Sequence, residues 1–301
     1  MSRITQKPAV APLSPFTSVV TATSNYTGTS TPAVTTQAYG GNPATATSVT
    51  AGTGIFDSSF VTYVGQKFDT SDGRELVLVQ NGTVALVAGT FIQAPAEVTA
   101  FEKLAMTVPT AYPATAGSNQ ILVTNGSTVL NVNQFQQGYA IVASGTGIGQ
   151  TFKIASHQAA ANAATFVVTL EDAIQTTLDA TSKISLVYNP YIGVITSPAT
   201  TATGGPVGVT LTAIAASTAP TYNGTSGALT TSGVAQYGLL VCHGPAACLI
   251  DSSVTNVGYP LGVSKTTAGT LGVATLTTVP QVAVSAQTLT SANVGLVYLM
   301  L

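Results

Sequence analysis

The sequence predicts an all-β protein, mainly antiparallel, made of small barrel or sandwich units with an extended N-terminal arm and at most one or two short helices. Short apolar runs separated by Gly, Asn and Pro recur at even spacing from residue 55 to the C-terminus, which is typical of barrels and sandwiches. Asn-Gly pairs directly follow two of these runs, as they do in tight hairpins. Only one stretch has helical periodicity.

Residues 1–53 form the first predicted unit, an arm rich in Thr, Ser, Ala, Pro and Gly. Such a composition offers too little apolar surface to bury a core of its own. A disordered tail and an arm packed on its own chain both fit this composition. We favour an extended arm laid on another subunit.

Residues 54–106 are predicted to form a first β unit with a short helix. Glu75–Gln80 has the composition of a strand, and Asn81-Gly82 predicts a hairpin turn into Thr83–Ala88 as the partner strand. The helix is predicted over Ala94–Met106, where apolar residues repeat at helical spacing.

Residues 107–200 and 201–301 are predicted as a middle and a C-terminal β domain. In the middle domain a second hairpin is expected around Asn125-Gly126, and Gly138–Thr196 contains four or five short strand-like runs. The hairpin strands would be Asn119–Thr124 and Ser127–Val132. The C-terminal domain contains seven predicted strands: Val207–Ile214, Tyr237–Cys242, Ala247–Ile250, Pro260–Ser264, Thr270–Ala274, Pro280–Ala286 and Leu296–Leu301.

Charge is the feature that bears most on function. Only 6% of the 301 residues are charged and the net charge is −2, against about 25% charged residues in ordinary globular proteins. An uncharged surface does little to keep copies of a protein apart, so we expect much of it to be covered in a large assembly. Nucleic acid is not an expected partner, because phosphate binding needs clustered basic residues. The eight basic residues are scattered: Arg3, Lys7, Lys67, Arg74, Lys103, Lys153, Lys183 and Lys265.

Neither a membrane nor secretion is predicted. The N-terminus has no apolar signal region, and no apolar run approaches the ~20 residues that span a bilayer. Four Asn-x-Ser/Thr patterns, at Asn25, Asn81, Asn125 and Asn223, are interpreted as turns.

Two short motifs are candidate ligand-binding sites. Gly145-Thr146-Gly147-Ile148-Gly149 suggests a nucleotide loop, but a strand rather than a helix follows it, so we interpret it as a glycine-rich turn. The run from Cys242 through His243 to Cys248 places three soft ligands close together. A zinc site would need a fourth ligand, such as Asp251 or His157, and closer cysteine spacing. We predict a strand–turn–strand reversing at Gly244-Pro245, with a disulfide left open and no metal or other cofactor.

No catalytic residues are predicted, and the chain is expected not to be an enzyme. His157 and His243 are the only histidines. The residue types of a Ser/His/Asp catalytic triad are present, with Asp251 or Asp172 as the acid, but nothing in the sequence brings them together. Glu171-Asp172 follows a strand and is interpreted as a solvated turn. The pair Asp69 and Asp72 is interpreted in the same way.

Three motifs are distinctive as a set: G-x-G-Q-T-F-K-I at 147–154, N-P-Y-x-G-V-I at 189–195 and Y-G-L-x-x-x-x-G-P-A-A at 237–247. With these motifs, residues 60–301 resemble structural proteins of tailed-bacteriophage heads, in particular capsid decoration (cement) proteins. All three are turn and strand motifs, so the resemblance implies no catalytic residues. It also implies that Cys242 and Cys248 occupy ordinary apolar strand positions.

The resemblance implies a virion component, made in the host cytoplasm, that binds the outside of the major capsid protein shell and stabilises it. Such proteins are commonly homotrimers, so the expected partners are the major capsid protein and further copies of the chain. The alternative is a tail, fibre or baseplate protein that contacts host glycans, for which Tyr26, Tyr39, Tyr222 and Tyr237 are candidate stacking residues.

Overall fold

The computed structural model describes residues 49–50, 64–102, 106–111, 114–274 and 281–301. The fold is all-β, as the sequence predicts, and contains small barrel-like sheets. The arm predicted over 1–53 lies outside the described residues, apart from β1 (Val49–Thr50), which pairs with Tyr237 and Gln236.

Six strands close the first barrel, which lies within residues 106–187 and is called here the middle barrel. Its strands are β5 (Met106–Thr107), β6 (Gln120–Thr124), β7 (Tyr139–Ser144), β8 (Thr151–His157), β9 (Thr165–Leu170) and β10 (Lys183–Val187). Buried and less buried residues alternate along β6, β7 and β9 because one face of each strand points into the barrel. The interior packs around Phe101, Phe135, Phe152 and Phe166.

Five strands pair in succession around a second ring, called here the central ring. They are β3 (Glu75–Asn81), β4 (Phe91–Gln93), β11 (Ile192–Thr196), β12 (Pro206–Thr210) and β15 (Gln236–Leu249). The order is β15–β12–β4–β11–β3, and β3 pairs back with β15; only the β11–β3 pair is parallel among these five. β2 (Lys67–Asp69) pairs with the outer edge of β3.

The C-terminal strands continue from the second half of β15. They are β16 (Pro260–Val263), β17 (Leu271–Val273), β18 (Gln281–Ser285) and β19 (Val294–Met300). β19 pairs with β15 from His243 to Leu249, and β18, β16 and β17 follow in that order. A bridge from Leu271 back to Ile250, just after β15, brings the two ends of this group together.

The central ring is buried on both sides. Val77, Val79 and Leu240 belong to one core, whereas Leu76 and Val241 belong to the core shared with the C-terminal strands. Strands covered on both faces are apolar at consecutive positions, which explains the run Leu76-Val77-Leu78-Val79. The units predicted over 54–106, 107–200 and 201–301 therefore do not each form a separate sheet, because β3 and β4 pair with β11, β12 and β15.

The two predicted Asn-Gly hairpins are wrong. Among the described residues, Thr83–Ala88 and Ser127–Val132 contain no strand; Leu86 and Leu130 make single bridges to Ile214 and Ala160 instead. These bridging residues are buried in the cores of the central ring and the middle barrel.

Buried asparagine side chains hold both of these loops. Asn125 Nδ2 donates to the carbonyl oxygens of Thr128 at 2.8 Å and Ala161 at 3.0 Å. Asn81 Nδ2 donates in the same way to Val84 at 2.9 Å and Ala215 at 2.7 Å. Each asparagine therefore joins its own loop to a distant one, which a two-residue hairpin turn could not do.

Two further predictions are corrected. Within the described part of 94–106 the predicted helix is reduced to a 3-10 turn, Thr99–Phe101, and Met106 begins β5. Tyr237–Cys242 and Ala247–Ile250 are not two strands joined by a turn, because β15 runs through Gly244 and Pro245. Gly244 has φ +89° near a register shift, so it bends the strand there instead of reversing it.

A small hairpin, β13 (Thr221–Tyr222) with β14 (Leu229–Thr231), lies between β12 and β15 in the chain and contacts the middle barrel. At its tip, the Val132 N–H donates to the Gly227 carbonyl at 3.0 Å. Gly227 has φ +70°, and a Cβ there would collide with the Leu130 carbonyl oxygen. The tip therefore fits the loop that Asn125 holds.

Candidate functional site

The most exposed apolar strand among the described residues is β19. Its outward side chains are Val294, Leu296, Tyr298 and Met300, which are 53%, 41%, 49% and 47% exposed, while Val297 and Leu299 point into the core. Strand alternation therefore places every second side chain in solvent although all of them are apolar.

Neighbouring strands extend this surface. Leu249, Ala247 and Pro245 of β15 lie directly opposite Val294, Leu296 and Tyr298. On the other side, Val284 of β18 lies opposite Tyr298. Directly paired side chains are about 5 Å apart, so these residues form one surface, called here the β19 face: Pro245, Ala247, Leu249, Val284, Val294, Leu296, Tyr298 and Met300.

The β19 face contains no charged side chain. Its strands come from residues 184–250 and 266–301, which contain no Asp, Glu, Lys or Arg. At one end the exposed His243 lies opposite Met300, and Glu75, which is ion-paired with Lys67, lies in register with His243 on the far side of β15. Both edges of β19 are paired, so a partner would have to pack on this face and could not add a strand to its edge.

The size of the face limits what it can bind alone. Seven residues span about 23 Å and three strands about 14 Å, which gives a footprint of roughly 300 Å². A standard interface buries about 800 Å² on each partner. The β19 face is therefore large enough for the core of an interface, and stable association would need further contacts or several copies acting together.

The glycine-rich segment Gly145–Gly149 forms the turn between β7 and β8, as predicted. The N–H groups of Ile148, Gly149 and Gln150 donate to Gly145, Val142 and Gly147 carbonyls, and the Thr146 N–H donates to Thr181 Oγ1. A phosphate-binding loop instead directs its amide N–H groups towards the ligand. Here those groups serve the turn itself.

The Cys242, His243 and Cys248 side chains do not converge. Both cysteines are free and buried, and His243 is exposed. Six residues of strand separate the two sulfurs by roughly 20 Å, which is far beyond disulfide reach. Burial raises the pKa of the Cys242 thiol to about 11 and that of Cys248 to about 12, so neither is a reactive thiolate at neutral pH.

His157 is a structural residue of the middle barrel. The Phe135 N–H donates to its Nε2 at 2.9 Å, so the proton sits on Nδ1, which is 2.9 Å from the Gln158 carbonyl oxygen. Burial lowers the pKa of His157 below its usual 6.5. Asp251 belongs to the C-terminal strands and accepts hydrogen bonds from Ser252, Ser264 and Thr266, so the structure does not assemble it with His157.

The buried His157 predicts a loss of stability on mild acidification. The unfolded chain takes up the proton near pH 6.5 and the folded chain only at lower pH. The free energy of unfolding is therefore expected to fall as the pH drops below about 6.5, measured by urea unfolding. The carboxyl groups with lowered pKa, such as Asp72, Asp179 and Asp251, act only at lower pH.

A matched pair of variants tests whether His157 causes this pH dependence of stability. His157→Gln keeps an acceptor for the Phe135 N–H and should remove the dependence between about pH 7 and pH 5. His243→Gln alters an exposed ring and should leave the dependence intact. An unchanged slope in His157→Gln would contradict the assignment.

The remaining candidates are surface residues or lie outside the described part. Glu171 and Asp172 occupy an exposed bend after β9. Asp72 pairs with Arg74 and accepts from Thr70 in the β2–β3 turn, and the Arg74 hydrogen bond lowers its pKa to about 2. Tyr222 and Tyr237 are half-buried and do not form one surface with the β19 face, and Tyr26 and Tyr39 lie outside the described residues.

Sequence reasoning missed the β19 face. It also missed the buried side chains of Asn81 and Asn125 that join distant loops, called here the asparagine clamps. The strand V-G-L-V-Y-L-M is apolar at odd and at even positions, so its sequence does not show which face of the strand is exposed. The clamps did leave a signal, because N-G-[TS]-x-x-L occurs at 81–86 and again at 125–130.

Comparisons with known protein families, with curated proteins and with solved structures found no match to this chain. Within the described ranges, no group of three His, Cys, Asp or Glu side chains is placed to hold a metal ion. In the same ranges, none of the helices has the length and apolar character of a membrane span.

Proposed function

We propose that the chain is a non-enzymatic virion structural protein, a capsid decoration or cement protein on the outer surface of the major capsid protein shell. The observation that carries this proposal is the β19 face, an exposed apolar sheet surface without a charged side chain. The 6% charge content and the resemblance to phage head proteins support it. Its partners in this proposal are the major capsid protein and two further copies of the chain, without nucleic acid or membrane.

Many copies compensate for a small contact in such an assembly. At ~25 cal/mol per Å², burial of roughly 300 Å² on this chain's side of the interface contributes about 7.5 kcal/mol. Association of two free proteins costs about 4–15 kcal/mol, so one face binds weakly by itself. In a trimer, three β19 faces can contact one shell. Once the first face is bound, the other two meet their binding sites at a high effective concentration, which strengthens binding of the trimer as a whole.

Cosedimentation with shells tests the function. Shells assembled from the major capsid protein of the same genome are mixed with the purified full chain and pelleted. Saturable binding at a fixed number of copies per shell is expected. Absence of the protein from the pellet, or its location on tails in antibody-labelled virions, would contradict the proposal, and the second outcome would support the fibre or baseplate alternative.

A charge placed in the β19 face should weaken binding without unfolding the protein. Tyr298→Lys puts an ammonium group at the centre of the face, and burying it unpaired in an interface should lower shell affinity about ten-fold or more. Ile148→Lys is the matched control, since Ile148 is 67% exposed in a turn of the middle barrel. Both variants should keep their stability within about 0.5 kcal/mol, and equal shell binding by the two would contradict a role for this face.

A further inference from the structure

The chain contains three Asn-Gly pairs among its described residues, and the structure places them in two different states. Asn81 and Asn125 are buried, 1% and 4% exposed, and their Nδ2 atoms donate to backbone carbonyls. The Gly82 N–H donates to Val194 O at 2.9 Å, and the Gly126 N–H donates to Asn125 Oδ1 at 2.9 Å. In both pairs Nδ2 is held by backbone carbonyl oxygens, and in the first pair the Gly82 nitrogen is also held by a residue outside the pair.

Asn223-Gly224 differs in its exposure and in the bonds of both nitrogens. Both residues are exposed at the tip of the β13–β14 hairpin. Among the described residues, neither Asn223 Nδ2 nor the Gly224 N–H has a hydrogen-bond partner. A Cβ at Gly224 would meet nothing within 4 Å, so the space around the Gly224 nitrogen is open.

The Asn223 side-chain carbonyl is also polarised. Its Oδ1 accepts two backbone N–H groups, from Thr225 at 3.0 Å and from Ser226 at 3.0 Å. Two N–H donors on one carbonyl oxygen stabilise the negative charge that develops there when a nucleophile adds to the carbon. Asn81 Oδ1 has no such partner among the described residues.

We propose that Asn223 is a site of spontaneous deamidation, and that Asn81 and Asn125 are protected. The Gly224 nitrogen bonds to Asn223 Cγ, the Cγ–Nδ2 bond breaks, and ammonia leaves with the proton that Gly224 loses. The product is a succinimide. Water then opens the ring at either carbonyl, which yields aspartate or isoaspartate, and no oxidant or cofactor takes part.

The modification acts on the contact between the hairpin and the middle barrel. It adds one negative charge to a chain whose net charge is −2. Isoaspartate also inserts a methylene into the backbone before Gly224. The Asn223 carbonyl accepts the Gly227 N–H at 2.8 Å, and Gly227 in turn accepts the Val132 N–H, so a longer backbone shifts the residue that touches the barrel.

Peptide mapping of the aged full chain tests this inference. After incubation at mildly alkaline pH, mass spectrometry that separates aspartate from isoaspartate should find deamidation at Asn223 at least ten-fold faster than at Asn81 or Asn125. In urea the three rates should converge, because unfolding removes the protection. Native rates at Asn81 or Asn125 equal to that at Asn223 would overturn the proposal.

Gly224→Ala supplies the matched variant. The added methyl group hinders attack by the nitrogen and fits the open space, so the fold should be kept and the Asn223 rate should fall about ten-fold. An unchanged rate in this variant would overturn the cyclisation route. Hydrogen exchange at the Val132 N–H should rise in the isoaspartate fraction and stay unchanged in the unmodified fraction.

Discussion

Gly145→Ala is expected to destabilise the middle barrel by about 2–5 kcal/mol. Gly145 has φ +80°, a left-handed conformation that costs a residue with a Cβ roughly 1–2 kcal/mol. A Cβ at this position would also lie closer than 3.0 Å to the Thr181 carbonyl group and the Ser182 nitrogen. Those atoms are backbone next to β10, so the β7–β10 pairing would have to shift to make room.

Gly149→Ala separates the two contributions. Gly149 lies in the same turn with φ +89°, but a Cβ there meets nothing within 4 Å. The free energy of unfolding of this variant should therefore fall only by the cost of the left-handed backbone conformation, about 1–2 kcal/mol. Urea unfolding of both variants measures the difference, and equal losses would show that the contact with Thr181 relaxes at no cost.

Asn125→Asp is expected to cost about 4 kcal/mol or more. The buried Nδ2 donates to three carbonyl oxygens, those of Thr128, Ala160 and Ala161. In the variant a carboxylate oxygen faces those three acceptors. Thr128 loses its donor, at about 1–3 kcal/mol for a buried unsatisfied group, whereas Ala160 and Ala161 keep the N–H groups of Leu130 and Ala164. The unpaired buried charge of the carboxylate adds about 3–5 kcal/mol. The loop between β6 and β7 and the loop between β8 and β9 would lose the Asn125 bonds and keep the bridge from Leu130 to Ala160.

The pH dependence of this variant identifies the cause. Only the protonated carboxyl can donate to a carbonyl, so its pKa is raised in the folded state above the ~3.9 of the unfolded chain. The loss of stability should be smallest near or below about pH 4 and should grow as the pH rises. Asn223→Asp, at the exposed hairpin tip, should change stability by no more than about 0.5 kcal/mol. A pH-independent loss in Asn125→Asp would contradict the clamp.

The sequence was sufficient to predict the all-β class and most strands of the middle barrel, because Gly, Asn and Pro mark strand ends locally. It was insufficient for the Asn-Gly loops, since the signal is local and the acceptor of Asn81 on Ala215 lies 134 residues away. Gly244-Pro245 misled in a similar way. A glycine at positive φ serves a turn or a bulge, and only the partner strands β3 and β19 decide between them.

The candidate site was hidden for a different reason. Every residue of β19 is apolar, and burial depends on which side the neighbouring strands cover. Tertiary packing covers Val297 and Leu299 and leaves Leu296 and Tyr298 exposed, a choice that the composition of the strand does not contain. The low charge of the segments around it did predict a surface without charged side chains, which is what the β19 face is.

The position of β15 has a consequence for how this protein unfolds. β15 belongs to two groups of strands. Its first half completes the central ring, and its second half pairs with β19, which joins it to the other C-terminal strands. Neither group can lose its hydrogen bonds to this strand without exposing the core that both share through Leu76, Val241 and Cys248. We therefore expect the two groups to unfold as one cooperative unit. The middle barrel closes on itself and has a core of its own, so we expect it to unfold in a separate event.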